Sequence, residues 1–245
     1  MKKMILLIFM FTVLLRAEKI TLASGDWEPY VSEKNPRSGA FTEIVLEIGK
    51  ELGVEIQLEF YPWKRVELMV QNGSVLAAFP YARNAEREVV YNFSEPVLVS
   101  RGYFFYYEPA GRVKIKDWGQ LEDLKAYLIG GVLGNWYEKD FLKAGLHVEY
   151  KANEELVLQL LQRGLVDLVP GNELVVRTQI KKSFPREEKN FKELIKPTNQ
   201  SSLHLIFSKK NPAANDWMIK INDALQKIKA DGRYKTILSK YGLKE

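Results

Sequence analysis

The sequence predicts an α/β protein of two lobes, each a mostly parallel sheet flanked by helices. Three observations carry that expectation. Strand-like and helix-like apolar patterns alternate over residues 19–79, and a second alternation of similar make-up runs over residues 127–169. A dense apolar and aromatic run at 100–107 and the returning segment at 191–207 read as the two crossings between these units. The chain has 245 residues, with no low-complexity linker and no short-period repeat. The expected limits are residues 18–100 with 205–245 for the first lobe and 101–204 for the second.

Taken in order, Ile20 and Leu22 mark the first strand, which runs into the loop Gly25-Asp26-Trp27-Glu28-Pro29-Tyr30. Phe41, Ile44, Val45, Ile48 and Leu52 fall on one helical face, stopped by Gly53. Val54, Ile56, Leu58 and Phe60 alternate with polar residues, which is strand periodicity. A helix is predicted over 63–71, stopped by Asn72-Gly73, followed by a buried strand over 75–79 that ends at Pro80. Asn84 is placed to cap a short helical turn carrying Glu86 and Arg87. Repeated strand–helix units imply a parallel sheet whose loops gather at the strands' carboxyl ends.

The second unit reads as a short helix over 118–124, a strand over 127–132 and a helix over 136–144 beyond Gly134. A short strand at Val148 and Tyr150, a helix over 154–162 and a strand over 165–169 follow. Leu203, Leu205 and Phe207 alternate on the returning strand. Helices over 213–230 and 233–241, separated by Asp231-Gly232, close the chain.

Lys2 and Lys3, an apolar run over 4–15 and then Arg16-Ala17 form the pattern of a secretory signal, with cleavage expected after Ala17. The run is too short to span a bilayer. There is no cysteine, hence no lipid-bearing cysteine and no disulfide framework. A soluble, monomeric protein of a Gram-negative periplasm is expected. The formal charge of the whole chain is +5, and loss of Lys2, Lys3 and Arg16 leaves +2. Lys and Arg are interspersed with Asp and Glu, so no nucleic-acid surface is expected.

Signatures of catalysis are sparse. His147 and His204 stand far apart with no carboxylate at metal spacing, so no metal is expected. No nucleophile elbow, phosphate loop or dinucleotide fingerprint is present, and neither an enzyme nor a cofactor is expected. Trp27, Tyr30, Trp63 and Tyr81 fall at predicted strand ends or helix starts, where aromatic faces could sandwich a ligand. Packing within the lobe is the competing explanation. Arg65 either adds a positive group there or, like Lys64, is simply exposed. At Arg87 a strand end, a helix start and a fixed guanidinium together suit an anion, the alternative being a solvated surface charge.

The stretch around Arg87, with Phe93-Ser94-Glu95-Pro96 six residues on, resembles the periplasmic solute-binding proteins of the amino-acid-binding type, extracellular solute-binding family 3. Further matches in the family's order are Trp27-Glu28-Pro29-Tyr30, residues 39–53, Pro62-Trp63-Lys64-Arg65, residues 130–134, residues 164–167 and Asp231-Gly232-Arg233-Tyr234. The resemblance implies a type II periplasmic-binding-protein clamshell hinged on two crossing strands. It implies binding of a small carboxylate-bearing solute, amino-acid-like or organic acid, for delivery to an inner-membrane ABC permease. Alternatives on the same scaffold are a soluble sensor partner of a membrane receptor and a dehydratase-like enzyme with Glu173 as general acid.

Residue by residue, Arg87 matches the family's carboxylate grip. Ala82 replaces a serine or threonine, so a hydroxyl contact is missing. The turn ending at Gly134 matches one that offers backbone N–H groups to the ligand, and Asn135 and Trp136 replace small hydroxyl residues beyond it. Asp167 matches a structural aspartate. Asn172, with Glu173 beside it, stands where the family has the aspartate that binds an α-ammonium. The grip is kept and the rest is altered, as in a divergent branch. An acidic or neutral-bodied carboxylate is therefore expected to outrank a zwitterionic amino acid.

Overall fold

Alternating side chains sort the first unit's core onto two faces of one sheet. The computed structural model describes residues 18–135 and 137–243. Strand β1 (Lys19–Ser24) pairs in parallel with β2 (Glu55–Phe60) and with β3 (Ala77–Ala82). Leu22 of β1 enters the core beneath α1 (Ala40–Leu52), whereas its neighbour Ala23 enters the core beneath α2 (Trp63–Gln71). Helix α1 buries Phe41, Ile44, Val45 and Ile48, which at about 1.5–3 kcal/mol each accounts for most of its hold on the sheet. Gly53 ends it at φ 68°, a left-handed conformation that needs no Cβ.

A register shift in β3 sets the directions of two aromatic side chains. Ala82 and Tyr81 pair with Leu203 and His204 of β10 (Asn199–Ser208), but the next pair is Ala78 with Ile206. Strand β3 therefore carries one extra residue at Phe79-Pro80, where Pro80 has no N–H to give the ladder. Phe79 consequently packs on the α1 side, and Tyr81, two residues on, packs on the α2 side. Regular alternation would have put both on one face.

After β3 come α3 (Ala85–Val90), a three-residue β4 (Tyr91–Phe93) on β10, and β5 (Leu98–Tyr107). Strands β5 and β10 run antiparallel to each other and reach into both halves. The second half holds β6 (Leu128–Val132), α4 (Glu138–Ala144), parallel β7 (His147–Lys151), α5 (Glu154–Gln162), β8 (Val169–Asn172), α6 (Glu173–Ser183) and β9 (Phe191–Glu193). Strands β8 and β9 both lie antiparallel on β5. The large sheet runs β2-β1-β3-β10-β5-β8, and α7 (Pro212–Ala230) and α8 (Arg233–Lys240) close on α1. Phe104 and Phe105 of β5 face separate apolar clusters in the second half. This is the two-lobed α/β architecture that the alternating pattern predicts.

Some elements differ from expectation. The predicted helix over 118–124 is a short 3-10 turn, Leu121–Leu124, with Gln120 and Asp123 forming a capping box. The predicted strand over 165–169 makes one parallel bridge, Leu168 to Ile129, before the chain passes to β5 as β8. Strand β4 and helix α6 are not foreseen by the apolar patterning. Val175, Val176, Thr178 and Ile180 are β-branched, which hides α6 from propensity arguments. Among the described residues, no helix is long and apolar enough to cross a membrane. Residues 1–17, where the secretory signal is expected, lie outside the described residues.

Candidate functional site

A cavity of about 330 Å³ opens at the carboxyl ends of β1 and β3, where α2 begins. Trp27, Trp63, Tyr81, Ala82 and Arg87 line it, all singled out from sequence, together with Asp26, Pro80 and Leu203. Each is placed by local chemistry. Trp27 sits in a tight loop closed by its exchange of backbone bonds with Val31 and stacks on Tyr30 at 4.3 Å. Trp63 starts α2 and lies flat against Gly25, where an added Cβ would come within 2.3 Å of the indole. Gly25 is thus required for the indole to sit there. Tyr81, turned by the bulge, meets Trp63 edge-on at 5.5 Å and 88°. Burial, and then the nearby Glu67, push the Tyr81 phenol above its usual range, so it stays neutral.

Arg87 is oriented from several sides. Asn84 caps α3 by accepting from the Arg87 backbone N–H at 2.8 Å. In the side chain, Nε and Nη2 both reach Glu67 Oε1, at 3.1 and 3.0 Å, and Nη1 donates to the Ala82 carbonyl at 3.2 Å. The guanidinium also stands 4.9 Å from the Tyr81 ring. A half-exposed ion pair of this kind is worth only about 0–1 kcal/mol to stability. Its consequence is geometric. Of a guanidinium's five N–H groups, one on Nε and one on Nη1 are spent in hydrogen bonds, while Nη2 faces Glu67 in the ion pair. One hydrogen on each terminal nitrogen remains to take a carboxylate.

The remaining sequence candidates are placed elsewhere. Asn172 and Glu173 do not line this cavity. Asn172 caps α6 through the Val175 N–H at 3.2 Å, accepts from the Tyr30 hydroxyl at 3.2 Å and donates to Ser100 Oγ at 2.7 Å. Its polar atoms are committed to joining the two halves. Glu173, the first residue of α6, pairs with Arg177 at 3.4 Å. The amides beyond β6 are also committed within their own half. Leu133 N–H donates to the Lys151 carbonyl, Gly134 N–H to Glu138 Oε2 at 2.8 Å, and Asn135 N–H to the Val132 carbonyl. Trp136 lies outside the described residues. Arg65 stacks on Tyr61 at 4.2 Å and does not line the cavity. Asp167 is buried, accepts from the Leu128 N–H at 2.7 Å and pairs with Arg112.

Glu67, Asp26 and Leu203 are site residues that sequence patterning does not single out. A signal existed for Glu67, which follows Trp63 by four residues on α2 and so shares its face. Leu203 reaches the site only through its pairing with Ala82. Among the described residues, no group of His, Asp and Glu could hold a metal ion.

Comparison with known proteins points to the same architecture. The chain is 24% identical over 220 residues to the L-cystine-binding protein TcyA of Bacillus subtilis (strain 168), covering 89% of this chain and 78% of that protein. It superposes on the unliganded, open L-cystine solute receptor of Neisseria gonorrhoeae with a TM-score of 0.74 at 19% identity, covering 91% and 92% of the two chains. It also superposes on the second substrate-binding domain of an amino acid ABC transporter from Streptococcus pneumoniae, with a TM-score of 0.72 at 22% identity over 91% and 99%. Residues 20–244 match the sequence pattern of one family across nearly the entire length. The chain belongs to the bacterial extracellular solute-binding proteins, family 3.

Proposed function

We propose that this protein binds a small carboxylate-bearing solute of the amino-acid type and delivers it to an ABC-type inner-membrane permease. The observation that carries this reading is Arg87, held by Glu67 and the Ala82 carbonyl beside an aromatic cavity, with a hydrogen left on each terminal nitrogen. The relatives are described as binding cystine or as domains of an amino acid transporter, which supports the solute class. The site works by closure of the second lobe, residues 101–204, over the first, residues 18–100 with 205–245. The periplasm is its compartment, reached by a signal over residues 1–17. A dehydratase-like enzyme would need an acid in the cleft, and Glu173, the sequence candidate for that role, is paired with Arg177 outside the cavity.

The test is a thermal-shift screen of the mature protein against amino acids and organic acids. A specific ligand at about 100 times its dissociation constant adds about 2.7 kcal/mol, a readily measured shift. The expected result is a shift by one carboxylate class that disappears in Arg87→Ala. A panel with no responder, or a response indifferent to Arg87, overturns the reading.

A further inference from the structure

We infer that Glu67 is a positioning residue that restricts the Arg87 subsite to a single carboxylate and excludes doubly anionic ligands. The inference rests on the proposed carboxylate-binding role of Arg87. Glu67 Oε1 receives Nε and Nη2 of Arg87 on one edge, while the Ala82 carbonyl receives Nη1. The guanidinium cannot turn without losing a contact, which leaves the uncommitted hydrogens of Nη1 and Nη2 for a ligand. Glu67 also sits beside them as a fixed counter-charge, so the pair contributes no net positive charge to the cavity.

Neighbouring cations do not make up the deficit. Arg65 stacks on Tyr61, and Arg83 pairs with Glu88 at 3.8 Å while lying over the Phe93 ring. Of the described residues lining the cavity, Asp26 is the other acidic or basic side chain, and it is a carboxyl group. A first carboxylate therefore finds two donors on Arg87. A second would find aromatic walls and a like charge, with no further cation among the lining residues to receive it. On this reading the acidic carboxylates, one of the two classes expected from the sequence to outrank zwitterionic amino acids, are disfavoured and the neutral-bodied ones are kept.

The experiment uses acetate and malonate as probes at neutral pH and constant ionic strength, read by tryptophan fluorescence of the mature protein. Wild type is expected to respond to acetate and to bind malonate more weakly. Glu67→Gln keeps an oxygen for Nε and removes only the charge, so the malonate-to-acetate affinity ratio should rise by about tenfold. Glu67→Ala removes positioning as well and should weaken acetate. A merely structural role would weaken both ions equally and leave the ratio alone. An unchanged ratio in a folded glutamine variant overturns the inference, as does wild-type malonate binding as tight as acetate, which needs no variant. If acetate binding survives Arg87→Ala, or neither ion binds wild type, the carboxylate reading itself fails. If Arg87→Ala abolishes acetate binding while the ratio stays fixed, that reading stands and this one falls.

Discussion

Arg87 and His204 are side chains whose surroundings set their behaviour. Truncating one side of a desolvated arginine–carboxylate contact costs about 2–5 kcal/mol, or roughly 30- to 5,000-fold in affinity. Arg87→Ala should lose binding on that scale by calorimetry. Arg87→Lys should also bind poorly, because it has no Nε–H for Glu67 and no planar fork. His204 is buried, its Nδ1 lies 2.7 Å from the Ser94 carbonyl, and its ring meets Phe93 edge-on. A carbonyl only accepts, so Nδ1 carries the proton. Burial pushes the His204 pKa below its ordinary value of 6.5, outweighing the Ser94 bond, with Arg83 acting in the same direction as burial. The folded state therefore favours the neutral ring. Its contribution to stability is fully present above about pH 6.5 and is lost as pH falls through the lower folded value. Melting temperature should drop with acidification below that point, and the drop should be shallower in His204→Gln. Parallel slopes in the two proteins would remove His204 from the account.

Among the elements, α6 is the one whose first turn serves both halves. Leu174 packs in the first unit's core while Val176 and Ile180 pack in the second's. Asn172 ties this turn to Tyr30 and to Ser100 on β5. Asn172→Ala removes an N-cap and two side-chain bonds, a loss of about 2–4 kcal/mol. Urea unfolding should show it as a lowered midpoint, and a midpoint unchanged from wild type would deny Asn172 this joining role. Helix α8 is fastened similarly. Arg233 reaches Glu47 at 3.2 Å and Glu51 at 2.7 Å on α1, and the Tyr234 hydroxyl donates to the Val97 carbonyl at 2.8 Å. The Asp-Gly-Arg-Tyr string thus locks the carboxyl terminus onto the first unit.

For the whole molecule, the cavity is walled by first-unit residues and by Leu203 of β10, with none of the described residues from β6 to β9 lining it. A ligand held by Arg87 gains further contacts only if the second half moves onto it. Strands β5 and β10 are the continuous links along which such a motion would bend. Binding should therefore reduce the radius of gyration in small-angle scattering, because closure is favoured only by contacts made in the closed state. An unchanged radius at saturation would mean a rigid receptor.

Local chemistry made much of this legible in advance. Helix α2 spans Trp63–Gln71 and α5 spans Glu154–Gln162, as their apolar spacing and flanking turn residues indicate. Asn84 caps α3, and that cap places the Arg87 backbone. All of these depend on neighbours within a few residues, so the sequence determines them by itself. The turning of Tyr81 toward Trp63 does not arise in that way. It requires an extra residue in β3 against β10, more than 100 positions away. The pairing of Arg87 with Glu67 depends on how α2 and α3 are brought together, and the role of Asn172 depends on Tyr30, 142 positions distant. Nothing near Asn172 in the sequence says which hydroxyls will meet its side chain. Sheet register and helix placement decide those partners, and they are properties of the folded chain.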